Sequence, residues 1–187
     1  MTKHEIHLTS KKEAFLIDSN SLISPFQEYY PFHLAPGFWE CMKLAIFSRD
    51  VLLMDVVKDE LLKGQKNAEK KDELTKWVES FDNNVILSRE NEEIFAMYGK
   101  VLDYLETCGL YKEKASREWA KDDIADGWLI ASACIGGHTI VTFEKPNKGL
   151  NLENPSKNAK IPDVCDHFSV KYVTLFEMMK HLNFKLN

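Results

Sequence analysis

The sequence predicts an α/β protein: a mostly parallel sheet of about five strands with helices on both faces. Short runs rich in apolar residues, at Ala14–Ile17, Val51–Met54, Val85–Leu87, His138–Phe143 and Lys171–Val173, alternate with stretches of helical periodicity. Consecutive apolar positions bounded by polar ones mark strands buried on both faces, as a parallel sheet requires. The helix expected before the fourth run ends at Gly136-Gly137, so a loop of only a few residues joins it to the strand. Such helix-to-strand joints are α/β grammar.

One domain over residues 1–187 is the economical reading, because a chain of this length buries one sizeable core. The chain is 44% apolar and 28% charged, with eight Gly and six Pro, as in an ordinary globular protein. No apolar run nears the ~20 residues that span a bilayer. The first residues, Met-Thr-Lys-His-Glu-Ile-His, lack the apolar core of an export signal. A cytoplasmic location without membrane contact is therefore expected. Cys41, Cys108, Cys134 and Cys165 are far apart and form no Cys-x-x-Cys pair, so they read as small buried hydrophobes in a reducing compartment rather than as zinc ligands.

In order, residues 1–13 form a polar lead-in with a fringe strand at Ile6-His7-Leu8. After the first strand comes a proline-broken aromatic segment from Pro25 to Phe32. A helix opens near Pro36, where proline is tolerated, and buries Phe38, Trp39, Met42, Ala45 and Ile46. Asp55 caps a helix over Val56–Lys63 that carries Glu60 and stops at Gly64. A basic stretch (Lys63, Lys66, Lys70, Lys71) precedes a helix with Leu74, Trp77, Val78 and Phe81 on one face, broken at Asp82-Asn83-Asn84. The next helix, about Glu90–Glu106, carries the stripe Ile94, Met97, Tyr98, Val101, Leu102 and Leu105. A charged stretch, Lys112–Lys121, leads to one helix over Asp122–Ile135. After the fourth strand, residues 144–160 form a flexible basic loop without periodicity, of a length usually tied to function. One or two helical turns over Pro162–Phe168 and a closing helix over Phe176–Leu182 complete the chain.

Acids gather at the ends of the expected strands. Asp18 closes the first, the second leads to the helix with Glu60, and the fourth ends Thr142-Phe143-Glu144. Asp126 lies one turn after Asp122, and Asp163 follows the basic loop. Ligands of open α/β sheets collect beyond the carboxyl ends of the strands. Mutually repelling acids are costly there unless a cation offsets them, and an oxygen-only donor set suits Mg2+ or Mn2+. Phosphodiester hydrolysis is chemistry such a site serves, one ion acidifying a water and a second, ~3.5–4 Å away, steadying the leaving oxygen. The net charge of −5 argues against nucleic acid, but setting aside the five candidate acids leaves the rest neutral. Lys145, Lys148, Lys157 and Lys160 in the basic loop face a single acid, Glu153, and suit a phosphate backbone. Each acid alone has an ordinary explanation as a capping or solvated residue; their order along the chain makes the case. Gly127, costly inside a helix by about 1 kcal/mol, predicts that something approaches the backbone beside Asp126.

Phe15-Leu16-Ile17-Asp18-Ser19-Asn20, Ala125-Asp126-Gly127-Trp128-Leu129-Ile130-Ala131 and Ile140-Val141-Thr142-Phe143-Glu144 together resemble the ordered motifs of the PIN-domain nucleases. Tyr29-Tyr30-Pro31, Phe38-Trp39-Glu40 and Lys160-Ile161-Pro162-Asp163-Val164-Cys165 are similar to a prokaryotic PIN-like branch. The likeness spans about residues 14–179 and implies a three-layer α/β/α sandwich and a Mg2+- or Mn2+-dependent endoribonuclease acting on RNA. It implies that Asp18, Glu60 and Asp126 are the core acids and that Asn20 and Thr142 support them. Glu144 stands where that family has Asp, so Asp163 serves instead or as well. Many small prokaryotic relatives are toxins held by an antitoxin, and many are homodimers; both partners are implied by the resemblance alone.

Two other readings compete. An Asp18-nucleophile phosphohydrolase needs a second acid two residues on, where this chain has Asn20. A catalytically silent module that binds RNA or protein draws on the departure at Glu144 and on the aromatics Phe26, Tyr29, Tyr30, Phe32 and Trp39.

Overall fold

Five strands, β1 (Phe15–Ile17), β2 (Val51–Met54), β3 (Val85–Ile86), β4 (Thr139–Val141) and β5 (Tyr172–Val173), form one sheet in the order β3-β2-β1-β4-β5. The computed structural model describes residues 13–63 and 72–186. The fringe strand at Ile6–Leu8, almost all of the polar lead-in, the stop at Gly64 and the basic residues Lys66, Lys70 and Lys71 lie outside the described residues. All four strand pairings are parallel, in register Phe15 with Val51 and Thr139, Leu53 with Val85, and Ile140 with Tyr172. Helices cover the sheet, giving the expected three-layer α/β/α arrangement. The buried runs of β1, β2 and β4 are what a doubly covered parallel sheet demands.

Strand order decides where a site can form. From β1 the chain winds outward through β2 to β3, then returns to lay β4 against the other side of β1 and β5 beyond it. The winding direction therefore reverses between β1 and β4, and open α/β sheets bind ligands in the crevice beyond the carboxyl ends at such a switch.

The helices are α1 (Asn20–Ser24), α2 (Pro36–Phe47), α3 (Asp55–Leu62), α4 (Glu73–Glu79), α5 (Glu92–Thr107), α6 (Glu113–Trp119), α7 (Asp126–Gly136), α8 (Ile161–Phe168) and α9 (Leu175–His181). Several differ from their sequence expectation. The aromatic segment is more ordered than its prolines suggest: α1 runs into a π-helical turn over Pro25–Tyr29, with Pro25 at a first position that needs no N–H. Lys112–Lys121, read as a charged stretch, contains α6, whose Ala115, Ser116 and Trp119 are buried. Asp55 is the first residue of α3 rather than its cap; its carboxylate accepts from Val56 N at 2.8 Å and from the Ser88 hydroxyl. Of the cysteines only Cys165 is buried, the other three being half-buried.

The largest revision concerns the helix expected over Asp122–Ile135. It starts at Asp126, and Asp122 lies in the turn before it, so the two acids share no helical face. Arg89 holds that turn, donating from Nη2 to the Asp122 carbonyl at 2.8 Å while its Nη1 pairs with Asp59 of α3 at 2.6 Å.

Most of the aromatics of the early segment pack inward. Phe32 stacks on Trp39 with ring centroids 4.1 Å apart, Trp39 meets Trp77 at 5.0 Å, and Trp77 meets Phe81 at 4.7 Å. Trp39 Nε1 donates to the Tyr30 carbonyl at 2.7 Å, which satisfies its buried polar atom. This cluster ties α2 to α4 and takes Phe32 and Trp39 out of any surface role. Among the described residues no helix is long and apolar enough to cross a membrane.

Candidate active site

Asp18 stands at the switch point. Its N–H donates to the Val141 carbonyl at 3.1 Å, extending the β1–β4 ladder by one residue, and α1 begins almost at once behind it. Its side chain is only 2% exposed. Thr142, just past β4, donates its hydroxyl to Asp18 Oδ2 at 3.2 Å, and Ser19 Oγ reaches Oδ1 at 3.4 Å. Ser21 Oγ donates to the Val141 carbonyl at 3.1 Å and locks α1 to the end of β4. Burial, then the charge of Glu60, pushes the Asp18 carboxyl up to about 7, although the Thr142 hydrogen bond works against that rise.

Asp126 arrives from the other side as the first residue of α7, where the helix dipole favours an acid. Its carboxyl is nevertheless held well above the ordinary aspartate range, by burial first and then by the charges of Asp18, Glu144 and Glu60. Glu60 comes from the second turn of α3, half-buried, and burial raises it too, while a hydrogen bond with Ser19 and the nearby Lys63 pull it down. Glu60 Oε2 is buried and makes no hydrogen bond. Lys63 at the end of α3 pairs with Asp123 in the turn before α7. Asp18 and Asp126 thus both feel the charge of Glu60, and Asp126 that of Asp18, with Ser19 between Asp18 and Glu60.

Glu144 and Asp163 are placed differently. Both carboxylate oxygens of Glu144 are engaged, Oε1 with Lys160 Nζ at 2.5 Å and Oε2 with the backbone N–H of Ile161 at 2.8 Å. Ile161 opens α8, so Glu144 satisfies one of that helix's free N–H groups. Asp163 Oδ1 accepts from Asn147 N at 2.9 Å and pins the segment after β4, while its Oδ2 is buried and makes no hydrogen bond. Burial and the charges of Asp166 and Glu144 raise Asp163, against the Asn147 bond and Lys160.

The supporting residues divide likewise. Thr142 accepts from Glu144 N at 3.1 Å as well as donating to Asp18, so one hydroxyl links both groups of acids. Asn20 opens α1 with an exposed side chain, and its backbone N–H is what favours the charged form of Asp18. Of the four lysines, Lys157 and Lys160 line a pocket of about 220 Å3 together with Asp126, Glu144 and Trp119. Lys145 and Lys148 are exposed outside that lining. The basic segment is anchored beyond its own ends: Ser156 exchanges backbone hydrogen bonds with Leu110 and Lys112 at 2.9 and 2.8 Å.

Two roles are not visible in the sequence alone. Ser19 stands there only as part of the Asp18-Ser19-Asn20 run, and its role shows once it is buried between Asp18 and Glu60. Lys160, expected to be a substrate cation, commits its ammonium to Glu144. Gly127 has a packing reason: a Cβ there would lie 2.8 Å from the Tyr98 ring, which stacks on Trp128 at 4.0 Å.

Among the described residues no three His, Cys, Asp or Glu side chains are gathered as a ready metal site. The inner donors fit a hard cation in kind. They are carboxylates only, their mutual repulsion raises Asp18 and Asp126, and Glu60 carries a buried oxygen without a partner. Glu144 would have to leave Lys160 to join them.

Residues 15–186 match a family described as a domain of unknown function (DUF4411). The chain belongs to the DUF4411 family. The match takes in every strand and all five candidate acids, so the site described above falls wholly inside the DUF4411 region. No curated protein matches the chain.

Proposed function

We propose that this protein is a Mg2+- or Mn2+-dependent endoribonuclease of the PIN-domain kind. One observation carries the proposal: at the end of the sheet where the winding reverses, buried Asp18 feels the charge of Glu60, and buried Asp126 feels those of Asp18 and Glu60. These three would hold the cation, with Glu144 or Asp163 as the fourth acid. When bound, the ion supplies charge neutralisation at a phosphodiester and acidifies water. The protein's own residues do the rest. Thr142 and Ser19 fix the orientation of Asp18, and Lys157 draws the phosphate backbone toward the pocket beside Asp126, where Lys160 would join it once Glu144 leaves for the cation. A cytoplasmic toxin restrained by an antitoxin, and a homodimer, extend this proposal on the sequence resemblance alone.

A silent binding module is the second reading, favoured by the engagement of both Glu144 oxygens with Lys160 and Ile161. Covalent chemistry on Asp18 is disfavoured, since the residue two places on is Asn20. The deciding experiment incubates purified protein with structured and unstructured RNAs in Mn2+, in EDTA, and after Asp18→Asn. Cleavage in Mn2+ that EDTA and the substitution both abolish is the expected outcome. Cleavage that survives both sinks the metal assignment, and an intact RNA in every arm puts the silent module ahead.

A further inference from the structure

Beside the acids stands an aromatic group that packing alone does not use up. Phe143 sits between Thr142 and Glu144, Tyr29 ends the π-helical turn behind Asp18, and Phe176 lies in the first turn of α9 just after β5. The three rings close a triangle with centroid separations of 6.1, 6.2 and 6.1 Å. Phe143 and Phe176 follow the carboxyl ends of β4 and β5, the end of the sheet where Asp18 and Thr142 stand, and Tyr29 meets both from the π-helical turn. Unlike Phe32 and Trp39, the outer two remain open, Tyr29 at 50% and Phe176 at 48% exposure.

We infer that Tyr29, Phe143 and Phe176 form a stacking platform for a nucleobase next to the phosphate held at the acid site. The inference rests on the nuclease reading for its location and adds the residues that hold the base. Exposed rings give every base a face to stack on, whereas a duplex keeps its bases inside. The platform's edge is cationic: Lys145 follows Phe143 by two residues and Lys148 by five, both exposed, which suits a backbone running off the rings. A protein partner fits less well. Three rings fall far short of the ~800 Å2 per partner of a stable interface, but one base needs a single ring face. Phe143, half-buried against both neighbours, sets the platform's depth, and Tyr29 and Phe176 offer the faces.

The test is equilibrium binding of a short fluorescein-labelled oligouridylate in Ca2+ buffer, the strand being checked intact on a gel. The comparison strands are a base-free ribose-phosphate oligomer and a blunt RNA duplex. Phe176→Ala and Tyr29→Ala are each expected to weaken the oligouridylate by roughly five- to a hundredfold, the span of one lost stack. Phe176→Leu keeps the apolar bulk and should fail almost as badly, while Tyr29→Phe should bind like the parent. The base-free oligomer should bind all variants alike, and thermal melts of each confirm folding. Parent protein that prefers the duplex, or that binds the oligouridylate no better than the base-free strand, overturns the platform. So do alanine variants with parental affinity, and so does a parent dimer that dissociates on Phe176→Ala with RNA binding unchanged. RNA cleavage by the parent with parental binding by the alanine variants removes the platform and leaves the nuclease. Selective loss of binding without any cleavage in Mn2+ keeps the platform and removes the nuclease.

Discussion

Asp18, Glu60 and Asp126 on one side, and Glu144 and Asp163 on the other, are carboxylates at the same end of one sheet, yet their surroundings differ in kind. The inner three sit on elements that the core fixes; burial raises all of them, and the charge of Glu60 adds to the rise of Asp18 and Asp126. The outer two belong to the segment that leaves β4 and enters α8, and each spends oxygens on local structure: Glu144 on Lys160 and Ile161, Asp163 on Asn147. The fold tolerates electrostatic cost in the first group and relieves much of it in the second. A cost that local structure leaves standing is where function is to be sought.

The sharpest break of this contrast is Asp18→Asn, read as stability against pH in EDTA. Asp18 titrates near 7 in the folded protein and near 3.9 unfolded, so between these values the native state holds the extra proton. Stability contributed by this group therefore falls as pH rises from about 4 to about 7, and the loss is complete above that. At roughly 1.4 kcal/mol per unit the cost above pH 7 amounts to a few kcal/mol. Asn keeps one acceptor oxygen for the Thr142 hydroxyl and sets an amide N–H where the Ser19 hydroxyl can accept, without the charge. The variant should melt several degrees above the parent at pH 8, and the gap should close at pH 4.5. Added Mn2+ should raise the parent's melting point and spare the variant's. A variant that melts lower at both pH values makes Asp18 an ordinary structural cap.

Glu144→Gln should do less. Gln still accepts from Ile161 N but leaves Lys160 without its partner. The pair is partly exposed, the Lys160 side chain at 42%, so the loss is about 1 kcal/mol, or a few degrees in melting point. RNA cleavage should fall by about tenfold or less. A fall as deep as that of Asp18→Asn would make Glu144 the fourth acid, released from Lys160 when the ion binds, and would erase the distinction between inner and outer acids.

Much of this contrast was legible in the sequence, and the reasons it was not fully so are physical. The strands showed because residues such as Phe15, Leu16 and Ile17 are buried on both faces, leaving an unbroken apolar run. Asp18 could be picked out because it follows such a run, and Glu60 because the second run leads into its helix; Asp126 is expected inside a helix that it in fact opens. The start of α7 was misread because Asp122, Asp123 and Asp126 are all good first-turn residues. Only the Arg89 bond to Asp122 and the Lys63 pair with Asp123, both long-range, decide among them. α6 escaped because its buried face is small, Ala115 and Ser116 with one Trp119, inside a charged run. The bond between Glu144 and Lys160 spans sixteen residues of irregular chain, where neither periodicity nor propensity carries information.

Asp163→Asn is the gentlest probe and the one that separates the two candidates for the fourth acid. Asn can still accept from Asn147 N through Oδ1, so the segment after β4 keeps its pin. What disappears is a charge whose second oxygen is buried without a partner and whose carboxyl burial already raises. A raised carboxyl costs stability above its folded titration point, so removing it should raise the melting point at pH 8 by about a degree or two and change nothing at pH 4. Cleavage should stay within about threefold of the parent, since the charges that bear on Asp126 are those of Asp18, Glu144, Glu60 and Lys160. A drop of a hundredfold with the melting point still raised would overturn that placement. It would mean that Asp163, not Glu144, turns toward the inner acids, and that the contact with Asn147 is the resting position of a ligand.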